Sequence, residues 1–545
     1  MTEERTKPDQ SQEQAPSHIT THPLIGIAGV LLGASIATFQ GRLVSVGLSD
    51  LRGALHLGAD EASWIGTAFN AALMFIGPFS VYLGGLLGAR RVLLACGILF
   101  SLISALLAFA TTLPLMLFLL VLGGLAAGTF YPLTLSFVLR NLPMRFVLLG
   151  IAAYAMDIVF TTYVATSLEA WYVDHLSWHW IFWNSALLTP IMVVLVYYGI
   201  PWQPLPKPSP GQPRPDWRGF LYASLGFASF YIALDQGQRL DWWNSKTIIA
   251  LTVTGAFLLI ATVSRRFIEP NPLIHLAFLR RRNTMLLAVV LFFFRFVMLG
   301  AVLVLPSYLA TIQGYRALQT GPVLLWVAIP QCLCGLLAVY SLRFIDSRLV
   351  LTAGFGLVAV ACVLNMQVDS MWSGGNFWLS QCVMAIGLAL AFNGLVGSII
   401  LEVVNTGALT RPIDVLTFAG FFQTVRLLGG EIGSAVMQHF LSYREQFHSN
   451  ILGLGVQLGQ TATDHRLLAL KAGMAGHASG PDVASARAAE ILALQVRGQA
   501  FTLAIADSFA LVAWAAVACL FVVACMGSVQ TQYRQVTAAP AAQPA

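Results

Sequence analysis

The chain of 545 residues is 57% hydrophobic and only 10% charged, where an average soluble domain carries about 25% charged residues, so a single water-soluble globule is excluded. Its net charge of +6 comes from 30 basic and 24 acidic residues, but no basic run is long enough for a phosphate-binding stripe, which argues against a nucleic-acid partner. The composition reads as an all-α integral membrane protein, and its seven cysteines, all in apolar stretches, are expected as free, buried thiols.

Residues 1–23 form a polar tail without the short apolar core and cleavage site of a removable signal, so the first apolar segment is expected to stay in the membrane. A bilayer core about 30 Å thick needs roughly 20 apolar residues per helix, because lipid offers no partner to an unpaired N–H or C=O. Within 24–200 that ruler places six spans, near 24–47, 62–83, 92–112, 115–139, 147–170 and 178–200. The stretch 201–217 is Pro-rich and reads as an extended linker. Two further spans fall in 218–264, near 218–236 and 247–264, and a loop covers 265–285. Six more occupy 286–527, near 286–309, 320–342, 349–367, 376–403, 415–440 and 504–527, before a tail at 528–545.

Fourteen spans put both termini on one side. Lys and Arg accumulate in short cytoplasmic loops: 18 basic residues fall on the terminal side, against 5 in the opposite short loops, namely Arg42, Arg52, Arg239, Lys246 and Arg316. Both termini are therefore expected in the cytoplasm and the long loop 441–503 outside. In that loop Ile491, Leu492, Leu494 and Val496 recur beside Arg487, Glu490 and Arg497, the pattern of an amphipathic helix outside the membrane; the alternative is a disordered connection with a helical turn or two.

A charge held in hydrocarbon costs a few kcal/mol, so Asp157, Arg295, Glu402, Arg426 and Glu431 each need a partner or a water-filled cavity. Asp157 is either a proton-exchanging acid or is hydrogen-bonded to Thr161 or Tyr154 to hold the bundle together. Glu169, nearer the outer interface, is a second proton-coupling candidate or is merely solvated; Glu402 and Glu431 complete the acidic candidates. Arg295 lies among Phe292, Phe293, Phe294 and Phe296, where its fork can bind a carboxylate while the rings hold an apolar body. The alternative is an ion pair with Asp157 or Glu402, the rings facing lipid. Arg426 and Glu431 are five residues apart, roughly 140° around a helix axis, so each must look to a different neighbour. Gly124 with Gly128, and Gly429 with Gly433, are spaced to let helices approach closely. His175 and His179 fit an interfacial aromatic belt with Trp178 and Trp180 better than a metal site. No phosphate-binding Gly-Lys-Ser/Thr loop, HExxH or GxSxG is present, so no enzyme and no cofactor is expected.

Several strings carry a resemblance: WHWIFWN (Trp178 to Asn184), LDQGQRLDWWNS (Leu234 to Ser245), NPLIHLAFLRRRN (Asn271 to Asn283), QGYRALQTGP (Gln313 to Pro322) and VRLLGGEIGSAV (Val425 to Val436), the last followed by SYREQFHSNI. With the 6+2+6 order of spans, these make the chain similar to the fourteen-helix drug:proton antiporter branch of the major facilitator superfamily, the EmrB-like exporters. The resemblance implies the major facilitator fold and secondary export of amphiphilic drugs or toxic organic compounds from a bacterial inner membrane by alternating access. It further implies exchange against protons and a periplasmic adaptor, a membrane fusion protein, leading to an outer-membrane channel, with 441–503 as the contact. The chain departs from the family's pattern in its coupling motifs. The loop Gly84-Gly85-Leu86-Leu87-Gly88-Ala89-Arg90-Arg91 lacks the family's Asp, leaving Gly85, Arg90 and Arg91 as gating residues. Leu120 stands for the membrane Arg of span four, Gln40 for the acid of span one, and Ala165-Thr166 and Glu169-Ala170 for the Gly-Pro and paired glycines of span five. By this alignment Gln40 joins Arg295, Phe292, Phe293, Phe296 and Arg426 as a substrate-binding candidate. The departures keep two other functions open: a facilitator or proton-coupled importer of an organic anion, and a non-transporting receptor or assembly subunit.

Overall fold

The computed structural model describes residues 22–140, 144–202, 217–268, 281–406, 412–474, 476 and 480–527. Most of the expected linker 201–217 and loop 265–285, and nearly all of both tails, lie outside these residues. The first half consists of α1 (Pro23–Val46), a short α2 (Leu48–Ala54), α3 (Ala59–Leu87), α4 (Ala89–Leu107), α5 (Leu113–Ala127), α6 (Phe130–Arg140), α7 (Met144–His175) and α8 (Trp180–Gly199). A hairpin of α9 (Trp217–Gly237) and α10 (Lys246–Ile268) follows. The second half consists of α11 (Arg282–Thr311), α12 (Ala317–Ser341), α13 (Ser347–Asn365), α14 (Trp378–Thr406), α15 (Pro412–Leu454), α16 (Thr461–Met474) and α17 (Pro481–Ala524). Among the described residues there is no strand.

Eleven helical segments among the described residues are long and apolar enough to cross a membrane. The long helices that do not meet that measure are α7, α9 and α15. They carry Asp157, Asp235, Arg426 and Glu431, polar side chains that lower their hydropathy and that lipid would not tolerate on an outer face. Their packing explains how they are sheltered. The halves meet where α7 packs on α12 and α3 on α15, with further contacts of α6 to α15 and α7 to α14, while α9 rests on both α3 and α15.

Span four, expected as one piece, is broken between α5 and α6 at Gly128 and Thr129, where the Thr129 hydroxyl donates to the Ala126 carbonyl at 2.8 Å. Both glycines of that span press on α3: a Cβ on Gly124 would stand 2.8 Å from that of Ala72, and one on Gly128 2.8 Å from the Leu73 carbonyl. Gly429 and Gly433 of α15 do the same for α11, at 2.8 Å from the Phe292 carbonyl and 2.7 Å from the Phe296 Cα. Small residues at these crossings replace the hydrophobic driving force that lipid does not supply.

The segment 441–503 is helical over most of its length, since α15 runs on to Leu454, α16 lies within it and α17 begins at Pro481; the disordered alternative does not hold. Arg444 and His448 reach Asp507 at 2.6 and 2.7 Å, and Arg497 reaches Glu445 at 3.0 Å, tying α15 to α17. A groove of about 770 Å³ between these helices is lined by Glu445, Ser449, Leu467, Leu492, Val496 and Arg497. All seven cysteines are free, but only Cys362 and Cys519 are buried; Cys96, Cys332, Cys334 and Cys382 are half-buried and Cys525 is exposed.

Candidate functional site

Midway along the bundle, residues from both halves form one polar cluster. Tyr131 of α6 is buried, and its hydroxyl meets that of Thr38 on α1. Arg426 of α15, 5% exposed, lays its guanidinium over the Tyr131 ring at 3.9 Å and donates through Nε to Gln423 Oε1 at 3.0 Å. A guanidinium stacked on an aromatic face and shielded from water is held by the ring's quadrupole as well as by hydrogen bonds. Tyr154 of α7 meets Tyr131 edge-on at 5.9 Å.

Asp157, one turn of α7 from Tyr154, accepts a hydrogen bond from the Ser35 hydroxyl of α1. The expected partners are not the ones it has: the Thr161 hydroxyl donates to the Asp157 backbone carbonyl at 2.7 Å, not to its carboxyl. A Thr one turn further on bonds back along its own helix, whereas the side chain points across to a neighbour. Arg295 of α11, 6% exposed, donates through Nε to the Arg426 carbonyl at 3.3 Å and through a terminal N–H to the Met298 sulfur at 3.7 Å. Its expected ion pair with Asp157 or Glu402 is not formed. Glu402 sits near the end of α14, where Asn283 Nδ2 donates to it at 3.4 Å, away from the cluster. The rings around Arg295 do not simply face lipid. Phe294 is buried and stacks on Phe392 at 4.6 Å, Phe296 is buried, and Phe293 meets Phe292 at 5.5 Å and Phe296 at 6.5 Å.

The cluster thus holds two guanidiniums, Arg295 and Arg426, against one carboxyl, Asp157. Two of its buried polar atoms, Asp157 Oδ2 and Gln423 Nε2, have no hydrogen-bond partner among the described residues. Gln40 is fully buried on α1 with both side-chain amide atoms in the same condition. Buried polar atoms are nearly always satisfied, so the unsatisfied atoms of the cluster mark where a ligand or water belongs.

Glu431 diverges from Arg426, as five residues of helix require, and faces Asp235 and the Tyr231 hydroxyl of α9. Arg42, expected in a short loop, lies inside α1 and is turned toward Glu431, Tyr231 and Tyr163. Asp235 accepts from the Thr67 hydroxyl of α3, and Gln236 Nε2 donates to the same hydroxyl at 2.5 Å. Arg239 continues the line, reaching Gln236 at 2.7 Å and Asp60 at 2.9 Å. Glu169 is 1% exposed, so the solvated alternative for it fails. Arg90 donates to the Tyr197 carbonyl at 2.7 Å and lies 4.8 Å from that ring, while Arg91 lies over Trp202 at 5.0 Å. The two clamp the start of α4 to the end of α8, and Gly85 is exposed near the end of α3. His175 stacks on Trp171 at 5.5 Å and His179 on Trp178 at 3.9 Å. Sequence reading missed Ser35, Tyr131, Gln423 and Asp235; the signal available was only that the first three are polar groups in largely apolar runs, while Asp235 opens the polar stretch Asp235-Gln236-Gly237-Gln238-Arg239.

A family model described as Major Facilitator Superfamily matches residues 30–434. Among curated relatives, the probable multidrug resistance protein EmrY of Escherichia coli is 26% identical over 454 residues, covering 79% of this chain and 84% of the relative. The multidrug export protein EmrB of the same organism is 25% identical, with 78% and 83% covered. The fatty acid resistance protein FarB of Neisseria gonorrhoeae is 26% identical, with 78% and 83% covered. Among solved structures, the human organic anion transporter MFSD10 superposes with a TM-score of 0.53 at 13% identity, covering 91% of this chain and 99% of that one. The proton:xylose symporter XylE superposes with a TM-score of 0.50 at 11% identity, covering 89% and 94%. At these identities the two structures speak for the fold alone.

Proposed function

This chain belongs to the major facilitator superfamily, and from that premise we propose that it is a secondary exporter of amphiphilic compounds, with anionic ones preferred, working by alternating access in exchange for protons. The preference is carried by one observation: Arg295 and Arg426 meet at the centre of the bundle with a single carboxyl, Asp157, between the halves. Two guanidiniums held close in low dielectric favour an anion, and planar carboxylates suit the guanidinium fork. The rings of Phe292, Phe293 and Phe296 supply an apolar wall for the rest of the compound. Relatives named for multidrug export, and one named for fatty-acid resistance, support this substrate class.

Asp157 supplies the proton side. It is joined to α1 through Ser35 and lies between the halves that rocking would separate; its second oxygen is free to take a proton or to pair with a guanidinium once the substrate has left. In this reading the chain crosses a bacterial inner membrane fourteen times with both termini cytoplasmic, and the groove of 441–503 is where a periplasmic adaptor leading to an outer-membrane channel docks. Inside-out vesicles with a pH gradient test it: uptake of a fluorescent anionic amphiphile is expected to exceed that of a cationic analogue. Arg426→Gln and Asp157→Asn should each lower uptake at least tenfold, a loss of about 1.4 kcal/mol or more in the rate-limiting barrier. A protonophore that leaves uptake untouched removes the antiport. Flux in the opposite direction makes the protein an importer of organic anions.

A further inference from the structure

Glu169 has no part in the cluster at the centre of the bundle. It lies two turns before the end of α7, 1% exposed, and neither Oε1 nor Oε2 has a hydrogen-bond partner among the described residues. Its carboxyl is pressed onto the corner between α1 and α2. A Cβ on Gly47, the residue joining those helices, would stand 2.9 Å from Glu169 Oε1 and 2.7 Å from Ile181 Cδ1, so glycine is what leaves room for the acid there. The group that faces it is a second carboxyl, Asp50 in the first turn of α2.

Among the described residues no cation is turned toward this pair, and the Ser49 hydroxyl donates to Asp50 at 3.5 Å. Arg42 on α1 looks to Tyr163, Tyr231 and Glu431, and Arg52 on α2 donates through Nε to the Leu57 carbonyl at 3.3 Å. On α8, Asn184 accepts from the Tyr172 hydroxyl at 2.9 Å. His175 and His179, at the far end of α7 and the start of α8, interact with Trp171 and Ser177. Arg316, which caps α12, is exposed. A buried carboxylate without a donor is strongly disfavoured, and two carboxylates in contact cannot both ionise. One proton resolves both problems, because a protonated Glu169 can donate to Asp50 and the pair then carries a single negative charge.

We propose that Glu169 and Asp50 together bind one proton, and that this shared proton clasps the α1–α2 corner to α7 and closes that end of the bundle. On release, the O–H bond of the carboxyl breaks, its electron pair stays on the oxygen and the proton passes to water. The pair goes from one negative charge to two, and with no cation to neutralise it the corner parts from α7. The proposal rests on the export reading above, in which this end faces the periplasm, and it adds a proton site separate from Asp157.

Infrared difference spectroscopy on the full-length protein in liposomes tests the proton directly. Wild type minus Glu169→Gln is expected to show a protonated-carboxyl C=O band at low pH that is lost as pH rises, and wild type minus Asp50→Asn the same band. Spin labels at Gly53 and Leu176, in a cysteine-free background, are expected to move apart as pH rises in the wild type and to stay at the shorter distance in Glu169→Gln. A difference spectrum without that band at any pH, or a distance change in Glu169→Gln equal to the wild type's, overturns the proposal. Neither measurement needs a transported compound. Their failure leaves the export reading standing, and absent vesicle transport with both results intact defeats only that reading.

Discussion

The two halves carry the same element in the same place with different surroundings. α7 is the fifth long crossing of the first half and α15 of the second, and each bears a buried or half-buried glutamate, Glu169 in the last third of α7 and Glu431 near the middle of α15. Each glutamate faces an aspartate on another helix, Asp50 or Asp235. Around Glu431 the surplus negative charge lies near the Arg42 guanidinium and the Tyr231 hydroxyl; around Glu169 and Asp50 the described residues supply only the Ser49 hydroxyl, 3.5 Å from Asp50, beside the proton proposed above. The comparison teaches that a carboxyl pair can be held together by a fixed cation or by a proton, and only the second arrangement comes apart when the proton leaves.

Arg42→Gln breaks the comparison most sharply. It takes the nearby cation away from the Glu431 pair and should lower unfolding stability by about 3 kcal/mol, the order of cost of leaving a buried charge uncompensated. Adding Glu431→Gln should recover most of that loss, whereas Arg52→Gln, beside the other pair, should change stability by less than about 0.5 kcal/mol. Denaturation of the detergent-solubilised protein measures all three. A smaller effect tests whether the halves are built alike within themselves. Gly433→Ala would press on the Phe296 main chain and Gly124→Ala on α3, and each should cost about 2 kcal/mol, equally in the two halves, because main chain cannot move aside as a side-chain tip can.

The smallest effect concerns a carboxylate that has all the donors Glu169 lacks. Asp346 caps α13, accepting from the Arg348 main-chain N–H at 3.0 Å and from its guanidinium at 2.9 Å. Burial works against the charged form, but these hydrogen bonds and the neighbouring positive charge overcome it and hold the Asp346 carboxyl below its ordinary value. Its contribution is therefore complete above the unfolded value of about 3.9 and is lost as pH falls through the lower folded value. Asp346→Ala should cost about 1 kcal/mol at neutral pH, and the difference from wild type should shrink as the melt is repeated in increasingly acid buffer.

Each expected span fell on helix, span four on two pieces of it, because length and apolar content in lipid leave the backbone few alternatives. The break at Gly128 was not legible, since it comes from how closely α5 presses on α3. The separation of Arg426 from Glu431 was legible because 100° per residue is a property of one helix. The partner of Asp157 was not. Ser35 is 122 residues away, and nothing in either local pattern couples them.

By itself, then, the order of residues settled the solvent, the helices and the short set of charged groups that had to be accounted for inside them. Tertiary structure decided the neighbours: the Arg426 carbonyl for Arg295, the Ser35 hydroxyl for Asp157, and Asp50 for Glu169. The physical reason is that helical periodicity states in which direction around its own axis a side chain points, whereas the group it meets depends on how separate helices are placed against one another. That placement is set by contacts such as those at Gly433 and Gly47, where the absence of a single Cβ decides how near two segments come.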